Sequence, residues 1–530
     1  MSQPLYITTA ISYPNGPPHI GHAYEAIACD VLARFHRMQG RDVRFQTGTD
    51  EHGLKMAQTA EKKGVSPQAL ADEMSSKFKV MCDELNISYD NFQRTTDPAH
   101  HRASQAIWQA MAAKGDLYSD TYEGWYSVRD EAYYDESELI DAEGEDGKKI
   151  RLSPQGTPVE WTVEESWFFR LSNYGDALLK LFRENPEFLE PESRRNEMVK
   201  FVEGGLRDLS ISRTSFDWGV KVPGSDNHVM YVWVDALTNY LTGLGYPDMD
   251  GNFGKYWRED GDMLHIIGKD IVRFHSIYWP AFLMSANLPL PSKVFGHGFL
   301  LNRGEKMSKS VGNVVDPLAL ANAFGVDQLR YFLMADVVFG KDGSYSAEAI
   351  VTKANADLAN SFGNLAQRTL SMIFKNMDGA LTSFESNVDD TRLRQIVADA
   401  CKIELPREFT ALNFSAGIDA WMRAVFACNQ YVDDQAPWAL KKSDPDRMKA
   451  VLMTLFMAIR DLSIAIRPVV PAAADAILDQ MGVDAEVRGY AALDDESWFS
   501  DLVSSNFQLN QPKGAFPRLE MPTSGEGEAI

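Results

Sequence analysis

The chain has 530 residues, of which 45% are hydrophobic and 24% are charged, as is ordinary for a folded protein of two to four domains. Its 52 basic and 75 acidic residues give a net charge of −23, which disfavours binding to a membrane surface but still allows a local basic groove for nucleic acid. The four cysteines are scattered, so neither a disulfide framework nor a zinc ribbon is expected. Because we find no signal-peptide pattern and no apolar run of about 18 residues, we expect a cytoplasmic protein without a membrane span.

The first hundred residues alternate between strand and helix signals. Residues 5–11 are rich in β-branched side chains and predict a strand, and a helical pattern follows Pro17 and Pro18 over residues 21–37. A second strand over residues 43–47 leads into a loop and a further helix. This order is typical of a parallel α/β sheet, which binds ligands at the carboxyl ends of its strands.

The pattern changes twice more along the chain. Aromatic residues alternate and an acidic loop follows within residues 118–223, which we interpret as an inserted domain. The α/β pattern returns at residues 230–234, 264–267 and 294–301. After about Ser344 the strand signals end, long apolar-periodic segments predict a helical bundle, and the polar tail after about Gln511 is expected to be disordered.

Two short motifs suggest chemistry on phosphates. His19 and His22 lie about one helical turn apart with Gly21 between them, so both imidazoles can face one ligand where the helix N-terminus attracts phosphate. Lys306-Met307-Ser308-Lys309-Ser310 places two lysines in a loop of small residues, which suits neutralisation of a pyrophosphate leaving group. Each motif alone is also compatible with a polar surface. Their occurrence together, in this order and each after a strand, favours the functional interpretation.

These two motifs resemble the HIGH and KMSKS motifs of the class I aminoacyl-tRNA synthetases, and further segments extend the resemblance to the methionyl-tRNA synthetase family over nearly the whole chain. The segments are AISYPNG (10–16), GTDEHG (48–53), YVWVDA (231–236), GKDIVRFH (268–275) and DQAPW (434–438). The resemblance implies a methionine–tRNA ligase that joins L-methionine to ATP as methionyl-adenylate, releases pyrophosphate, and transfers methionine to the 3′ end of tRNA(Met). It also implies Mg²⁺ as the companion of ATP.

The implied fold is α/β, with a class I Rossmann-type nucleotide-binding domain split by a connective insertion and followed by an α-helical anticodon-binding bundle. We expect the first half of the catalytic domain at 1–117, the insertion at 118–223 and the second half at 224–300. The KMSKS loop and stem-contact region follow at 301–345, the anticodon-binding domain at 346–510 and a tail at 511–530.

The resemblance implies a methionine pocket whose apolar wall surrounds the substrate side chain. Asp50 would hold the substrate ammonium, and Tyr240 or His275 is expected to offer a weak hydrogen bond to the thioether. Simple core packing is the alternative for Trp233 and Tyr240. Leu237 departs from the proline of many relatives, which leaves open whether the pocket wall differs. The implied pocket residues are Ile11, Tyr13, Asp50, Trp233, Ala236, Tyr240, Ile271 and His275.

For ATP, the resemblance implies that His19 and His22 contact phosphates, Gly21 packs under adenine and Asp270 binds the ribose. Lys306 and Lys309 would stabilise the transition state, and Arg213 matches a family arginine near the active site. The remaining implied ATP residues are Asn15, Gly16, Glu25 and Ser308.

For tRNA, three polar residues recur every four positions and would share one stripe of an α-helix. They are Asn360, Asn364 and Arg368, and the resemblance implies that they read the anticodon while Trp438 stacks on a base. A polar helix face beside a packed tryptophan is the alternative.

The insertion at 118–223 has no cysteine, so we predict that it holds no zinc and is stabilised by apolar contacts among Trp125, Tyr126, Tyr133, Trp161 and Phe168. Because the sequence ends soon after the bundle, we expect a monomer. Isoleucyl, valyl and leucyl enzymes have larger editing insertions, and the cysteinyl enzyme selects its substrate with zinc. Short nucleotidyltransferases with a HIGH motif and a non-catalytic tRNA-binding scaffold are the more distant alternatives.

Overall fold

The computed structural model describes residues 3–521 except 131, 144–148, 303, 308–313 and 496, and it leaves the side chains of 122, 132, 164 and 306 undescribed. The strands are β1 (Leu5–Thr9), β2 (Val43–Thr49), β3 (Asn91–Arg94), β4 (Leu117–Ser127), β5 (Ala132–Tyr134), β6 (Ile140–Glu143), β7 (Lys149–Leu152), β8 (Glu160–Phe169), β9 (Leu189–Glu190), β10 (Leu209–Ser210), β11 (Ser212–Arg213), β12 (Val229–Met230), β13 (Asp262–Gly268), β14 (Lys293–His297), β15 (Leu300–Asn302), β16 (Glu305–Lys306) and β17 (Gly343–Tyr345).

Helices dominate the second half of the chain. The α-helices are α1 (Ile20–Met38), α2 (Leu54–Lys63), α3 (Pro67–Glu84), α4 (Pro98–Lys114), α5 (Gly175–Glu184), α6 (Glu192–Glu203), α7 (Val232–Thr242), α8 (Gly251–Tyr256), α9 (Trp279–Ser285), α10 (Pro317–Phe324), α11 (Val326–Ala335), α12 (Ala347–Lys353), α13 (Asn364–Asn376), α14 (Val388–Asp399), α15 (Leu405–Thr410), α16 (Phe414–Gln435), α17 (Pro437–Ser443), α18 (Pro445–Ile466), α19 (Pro471–Gln480) and α20 (Trp498–Ser504). None of the helices in the described ranges is long and apolar enough to cross a bilayer.

The predicted parallel sheet is confirmed as a six-stranded sheet of order β3-β2-β1-β13-β14-β9. Strand β1 lies between β2 and β13, and Leu5 pairs with Val43 on one side and Asp262 on the other. All five residues of β1 are buried, as expected for a parallel strand covered on both faces. Strands β2 and β3 extend the sheet on one side of β1, and β13, β14 and β9 extend it on the other side. A crevice therefore opens at the carboxyl ends of β1 and β13.

Residues of the predicted insertion form a second, antiparallel sheet of order β10-β8-β4-β5 and a β6–β7 hairpin. Trp125 and Trp161 meet edge to face with ring centroids 5.4 Å apart, although Trp161 remains 53% exposed. Strand β9 departs from the prediction because it pairs with β14 as the edge of the central sheet. The segment predicted at 230–234 also differs, since only Met230 is in a strand and α7 begins at Val232.

The helical half follows β17, and π-helical segments Ala354–Gly363 and Ala400–Glu404 interrupt its helices. The predicted disorder of the tail is wrong for residues 515–519. The Phe516 ring is 8% exposed and lies 6.1 Å from the Phe362 ring, and the Leu519 backbone N–H donates to Asn355 Oδ1. Apolar side chains in an otherwise polar tail explain why this segment packs on the bundle. Residues 522–530 of the tail lie outside the described residues.

One buried ion pair joins the sheet half to the helical half. The Arg330 guanidinium in α11 donates to Asp30 Oδ2 in α1 at 2.6 Å, to the Leu85 carbonyl after α3, and to the Pro468 and Val469 carbonyls after α18. Burial alone would raise the pKa of Asp30, but Arg330 and the neighbouring Arg34 hold it below its usual value. The carboxylate therefore stays ionised where the two halves meet.

Replacing Arg330 with methionine should lower the free energy of unfolding by about 3–5 kcal/mol, because it leaves the Asp30 carboxylate buried without its main partner. The measurement is urea unfolding followed by tryptophan fluorescence and by circular dichroism. Arg34→Met is the matched control, because Arg34 contacts the same carboxylate with its side chain 21% exposed. Equal losses in the two variants would contradict the special role of Arg330.

Candidate active site

A cavity of about 510 Å³ opens at the carboxyl ends of β1 and β13. Every predicted ATP or methionine residue within the described part of the chain, apart from the undescribed Lys306 side chain, lines this one cavity. These are Ile11, Tyr13, Asn15, Gly16, His19, Gly21, His22, Glu25, Asp50, Trp233, Ala236, Tyr240, Asp270, Ile271 and His275. Ser308 and Lys309 lie outside the described residues, although Met307, between Lys306 and Ser308, also lines the cavity.

The two motif histidines cap the N-terminus of α1. Their rings stack with centroids 3.7 Å apart, and the His19 backbone N–H donates to His22 Nδ1 at 3.1 Å. The Gly21 N–H in turn donates to His19 Nδ1 at 3.1 Å. A Cβ at Gly21 would lie 2.9 Å from His19 Cε1, so the glycine leaves room for the His19 ring itself. The motif therefore forms a fixed pair of imidazoles at a helix N-terminus, where anions are favoured.

The loop that carries Asp50 is tied to both neighbouring strands. The Asp50 N–H donates to the Ser12 carbonyl at 2.9 Å, which extends the pairing of β1 with β2 beyond the strand ends. The next residue, Glu51, is fixed by Arg94 at 2.7 and 3.0 Å. Asp50, 8% exposed, is thereby held at the cavity wall with a carboxylate suited to an ammonium group.

A buried carboxylate that sequence reasoning missed connects this loop to α7. Asp235 Oδ2 lies 2.6 Å from His52 Nδ1, and its Oδ1 lies 2.6 Å from His100 Nε2. Burial raises the pKa of Asp235, but the two imidazoles outweigh it and leave that pKa well below its usual value. Both His52 and Asp235 stand in the quoted segments GTDEHG and YVWVDA, so their presence there was the available signal. The contact between the segments exists only in the fold.

Aromatic rings form the apolar wall of the cavity. Trp233 stacks on Phe274 with ring centroids 3.7 Å apart and planes 7° apart. Tyr240 Oη lies 2.7 Å from His275 Nε2, and His275 Nδ1 lies 3.0 Å from the Ile271 carbonyl. Leu237, the position that departs from many relatives, is 1% exposed and also lines the cavity.

The hydrogen bond expected from Tyr240 or His275 to a thioether stays a prediction, but both donors have partners within the protein in this structure. The Ile271 carbonyl only accepts, so His275 Nδ1 carries the proton. Burial lowers the pKa of His275 to about 4, so the ring is neutral and its Nε2 accepts from the Tyr240 hydroxyl. Both donors are therefore used within the protein, and the wall offers shape and aromatic contact instead.

Arg213 is not among the residues that line this cavity. Its guanidinium lies 4.6 Å from the centre of the Tyr231 ring and 4.7 Å from that of Tyr133, and its Nη1 donates to the Ser212 carbonyl at 2.7 Å. It lines a neighbouring cleft at the edge of the inserted sheet. Asp270 and Phe274, which line the cavity, also line this cleft. Arg213 therefore lies in a cleft next to the predicted site and does not line the site itself.

Three of the four predicted tRNA residues are exposed on the helical half, and the fourth, Arg368, is half-buried. Asn360 lies in the π-helical segment Ala354–Gly363, so the single α-helical stripe is interrupted there, while Asn364 and Arg368 lie in α13. Asn360 and Asn364 are exposed, and Trp438 in α17 is 52% exposed. The Arg368 guanidinium lies 5.7 Å from the centre of the Trp438 ring, so these two side chains share one surface.

Family models match both halves of the chain. Residues 5–370 match the model described as tRNA synthetases class I (M), and residues 406–520 match the anticodon binding domain of methionyl tRNA ligase. The methionine–tRNA ligase of Brucella suis biovar 1 is 54% identical over 516 residues, which cover 97% of each chain. That of Rhizobium meliloti is 53% identical over 522 residues, which cover 98% of this chain and 99% of the other.

Solved structures agree over the full length. The methionyl-tRNA synthetase of Mycobacterium tuberculosis in complex with methionyl-adenylate is 52% identical, with a TM-score of 0.92 over 98% of this chain and 100% of that chain. The apo form of the Mycobacterium tuberculosis protein gives a TM-score of 0.85 at 48% identity, over 98% and 99% of the two chains. The TM-score is thus higher against the adenylate complex than against the apo form.

The His275 ring should stay neutral across the range around pH 6.5 in which an ordinary histidine titrates, because its pKa is about 4. Histidine NMR of the folded protein, with the resonance assigned through His275→Gln, measures this. Tyr240→Phe should raise the pKa of His275, since the hydroxyl donates only to the neutral ring. Tyr246→Phe removes the hydroxyl of another buried tyrosine, outside the cavity lining, and should leave the His275 titration unchanged. A midpoint near 6.5 in the unmodified protein would contradict the assignment.

Proposed function

The chain belongs to the class I tRNA synthetases of the methionyl type, and we propose that the cavity at the ends of β1 and β13 is where it performs the ligase reaction. The enzyme activates L-methionine with ATP, releases pyrophosphate and transfers the methionyl group to tRNA(Met). The observation that supports this location is the convergence of the HIGH histidines, Asp50 and the Trp233–Tyr240 wall on one cavity.

Methionine would lie with its side chain along the aromatic wall and its ammonium at Asp50. The stacked Trp233–Phe274 pair and the Tyr240–His275 pair offer ring faces and edges, which make favourable contacts with a thioether sulfur. Because the donors of Tyr240 and His275 are already used, selection would rest on the length and flexibility of the substrate chain. The apolar contacts are worth only about 1–3 kcal/mol per methylene, so rejection of leucine would be moderate.

ATP would lie across the N-terminus of α1, with its phosphates near His19 and His22 and its ribose near Asp270. The methionine carboxylate is already ionised and can attack the α-phosphorus in line, so no side chain need act as a base. Catalysis would then consist of positioning and charge neutralisation. Lys306 and Lys309 are proposed to neutralise the departing pyrophosphate. Mg²⁺ would enter with the phosphates, as this ion commonly does, and add positive charge there.

The tRNA anticodon is proposed to bind the surface around Trp438 and Arg368. An exposed indole beside a guanidinium offers one face for stacking a base and one cation for its backbone or edges. Asn360 and Asn364 would add amide contacts to base edges. This surface lies on the helical half, so recognition and chemistry occupy separate parts of the molecule.

A monomeric state, a cytoplasmic location and the absence of zinc stay proposals made from the sequence. Among the described residues, no group of three or more His, Cys, Asp or Glu side chains is arranged to hold a metal ion. Sedimentation of the purified chain tests the monomeric state, and metal analysis tests the absence of zinc.

Amino-acid-dependent ATP–pyrophosphate exchange tests the proposed first reaction. We expect the strongest exchange with methionine, and moderately weaker exchange with leucine or cysteine, because the proposed pocket selects a long unbranched thioether chain mainly by apolar contact. Exchange driven best by leucine or cysteine would contradict the proposal, and so would its absence with every amino acid. Omission of Mg²⁺ in the same assay should abolish the signal.

Replacing Trp438 with alanine should raise KM for tRNA in the charging reaction by about tenfold or more, because base stacking is worth about 1–3 kcal/mol. ATP–pyrophosphate exchange should remain unchanged, since the indole lies outside the cavity. Trp438→Phe should restore charging, because it keeps an aromatic face. Trp161→Ala is the matched control, with an equally exposed indole on the inserted sheet. Equal defects in Trp438→Ala and Trp161→Ala would overturn the proposed anticodon surface.

A further inference from the structure

An ion pair between a predicted ATP residue and a residue outside the predicted set forms part of the cavity wall. Glu25 in α1 faces His297 at the end of β14, with Glu25 Oε2 2.8 Å from His297 Nε2. The other carboxylate oxygen, Oε1, accepts the Ala10 backbone N–H at 2.9 Å. The two side chains are 14% and 7% exposed, and both residues line the cavity. Glu25 was expected near ATP, whereas His297 had no assigned role.

The hydrogen-bond geometry determines how many protons this pair holds. His297 Nδ1 lies 2.8 Å from the Gly298 carbonyl oxygen, which only accepts, so Nδ1 carries a proton. Nε2 faces a carboxylate oxygen, so one further proton lies between the two side chains. With an imidazolium facing a carboxylate, Glu25 Oε1 accepts the Ala10 N–H as a charged oxygen, which makes a stronger hydrogen bond than the neutral carbonyl of a protonated Glu25 would.

The surroundings favour retention of that proton. Burial would lower the pKa of His297, but the hydrogen bond to Glu25 and its charge outweigh burial and raise it, with Asp270 adding in the same direction. Burial also raises the pKa of Glu25, against the opposing effect of His297. Asp270, Cys29 and Tyr240 also interact with the Glu25 carboxylate. The ring itself is enclosed by the edge of Tyr24 and the face of Phe339.

We propose that His297 is a positioning residue for ATP, acting through Glu25: its protonated ring neutralises the carboxylate and holds it at the cavity wall. This inference rests on the proposed function, because it assumes that ATP occupies the cavity. An unneutralised carboxylate there would add to the negative charge of Asp270 and oppose the approach of a polyphosphate. Held by His297 and Ala10, the same carboxylate can accept a hydrogen bond from the nucleotide without that repulsion.

Histidine ¹⁵N NMR of the full chain tests the protonation state directly and needs no activity. Both ring nitrogens of His297 should carry protons at neutral pH, with the resonance assigned through His297→Gln. In Glu25→Gln the His297 ring should lose its second proton and become neutral, because the side chain that faces it is now uncharged. A neutral His297 ring in the unmodified protein would overturn the proposal, whatever the outcome of the exchange assay.

Methionine-dependent ATP–pyrophosphate exchange tests whether His297 contributes to ATP binding. His297→Phe, which keeps a ring against Phe339, should raise KM for ATP about tenfold or more, as expected for loss of a hydrogen bond to a charged group. KM for methionine should stay within about twofold, since the aromatic wall is untouched. In the unmodified enzyme KM for ATP should rise as pH increases through the raised pKa of the pair, and in His297→Gln this rise should be absent.

His36→Gln is the matched control, because His36 is another buried histidine of α1, bonded to Gln39 and absent from the cavity lining. It should leave both KM values unchanged. In the Glu25→Gln background, His297→Gln should cause no further increase of KM for ATP, because the two residues act as one unit. Additive effects, or equal increases of KM for ATP and for methionine, would overturn the proposal. Absence of exchange in the unmodified protein would instead refute the proposed function and leave the NMR result standing.

Discussion

The parallel pairing of β1 with β13 is the constraint on which the site depends. It brings the start of the chain beside a strand more than 250 residues later, with Leu5 opposite Asp262. The chain then leaves β1 toward the N-terminus of α1 and leaves β13 toward Asp270 and His275. Groups that favour phosphate and groups that favour an apolar amino acid therefore meet at one crevice. Neither set forms a site without the other.

A second constraint fixes α1 against the rest of the molecule. The N-terminus of this helix presents His19 and His22, its second turn presents Glu25, and Asp30 near its middle binds Arg330. Because Arg330 also holds the carbonyls of Pro468 and Val469, α1 and the helical half meet at one buried guanidinium. The distance between the cavity and the Trp438 surface is thereby set by packed structure, as the proposed binding of one tRNA at both places requires.

Much of this could be predicted from the sequence, because the informative residues stand in short contiguous segments. The strand–loop–helix pattern around His19 and the apolar periodicity after Ser344 predicted the sheet and the bundle. The contacts that join distant segments could not be predicted: Asp235 with His52, Arg330 with Asp30, and Glu25 with His297. Proton positions were also beyond reach, since the Ile271 carbonyl decides which nitrogen of His275 is protonated. That contact also engages the His275 donor that was expected to serve the thioether.

The most direct test is a crystal structure of the protein with a non-hydrolysable methionyl-adenylate analogue. The analogue should lie in the crevice between β1 and β13, with its amine at Asp50, its thioether against Trp233 and its phosphate mimic beside His19 and His22. The Tyr240–His275 hydrogen bond should persist with the ligand bound. An analogue bound elsewhere, or a side chain seated away from the aromatic wall, would contradict the assignment of this cavity.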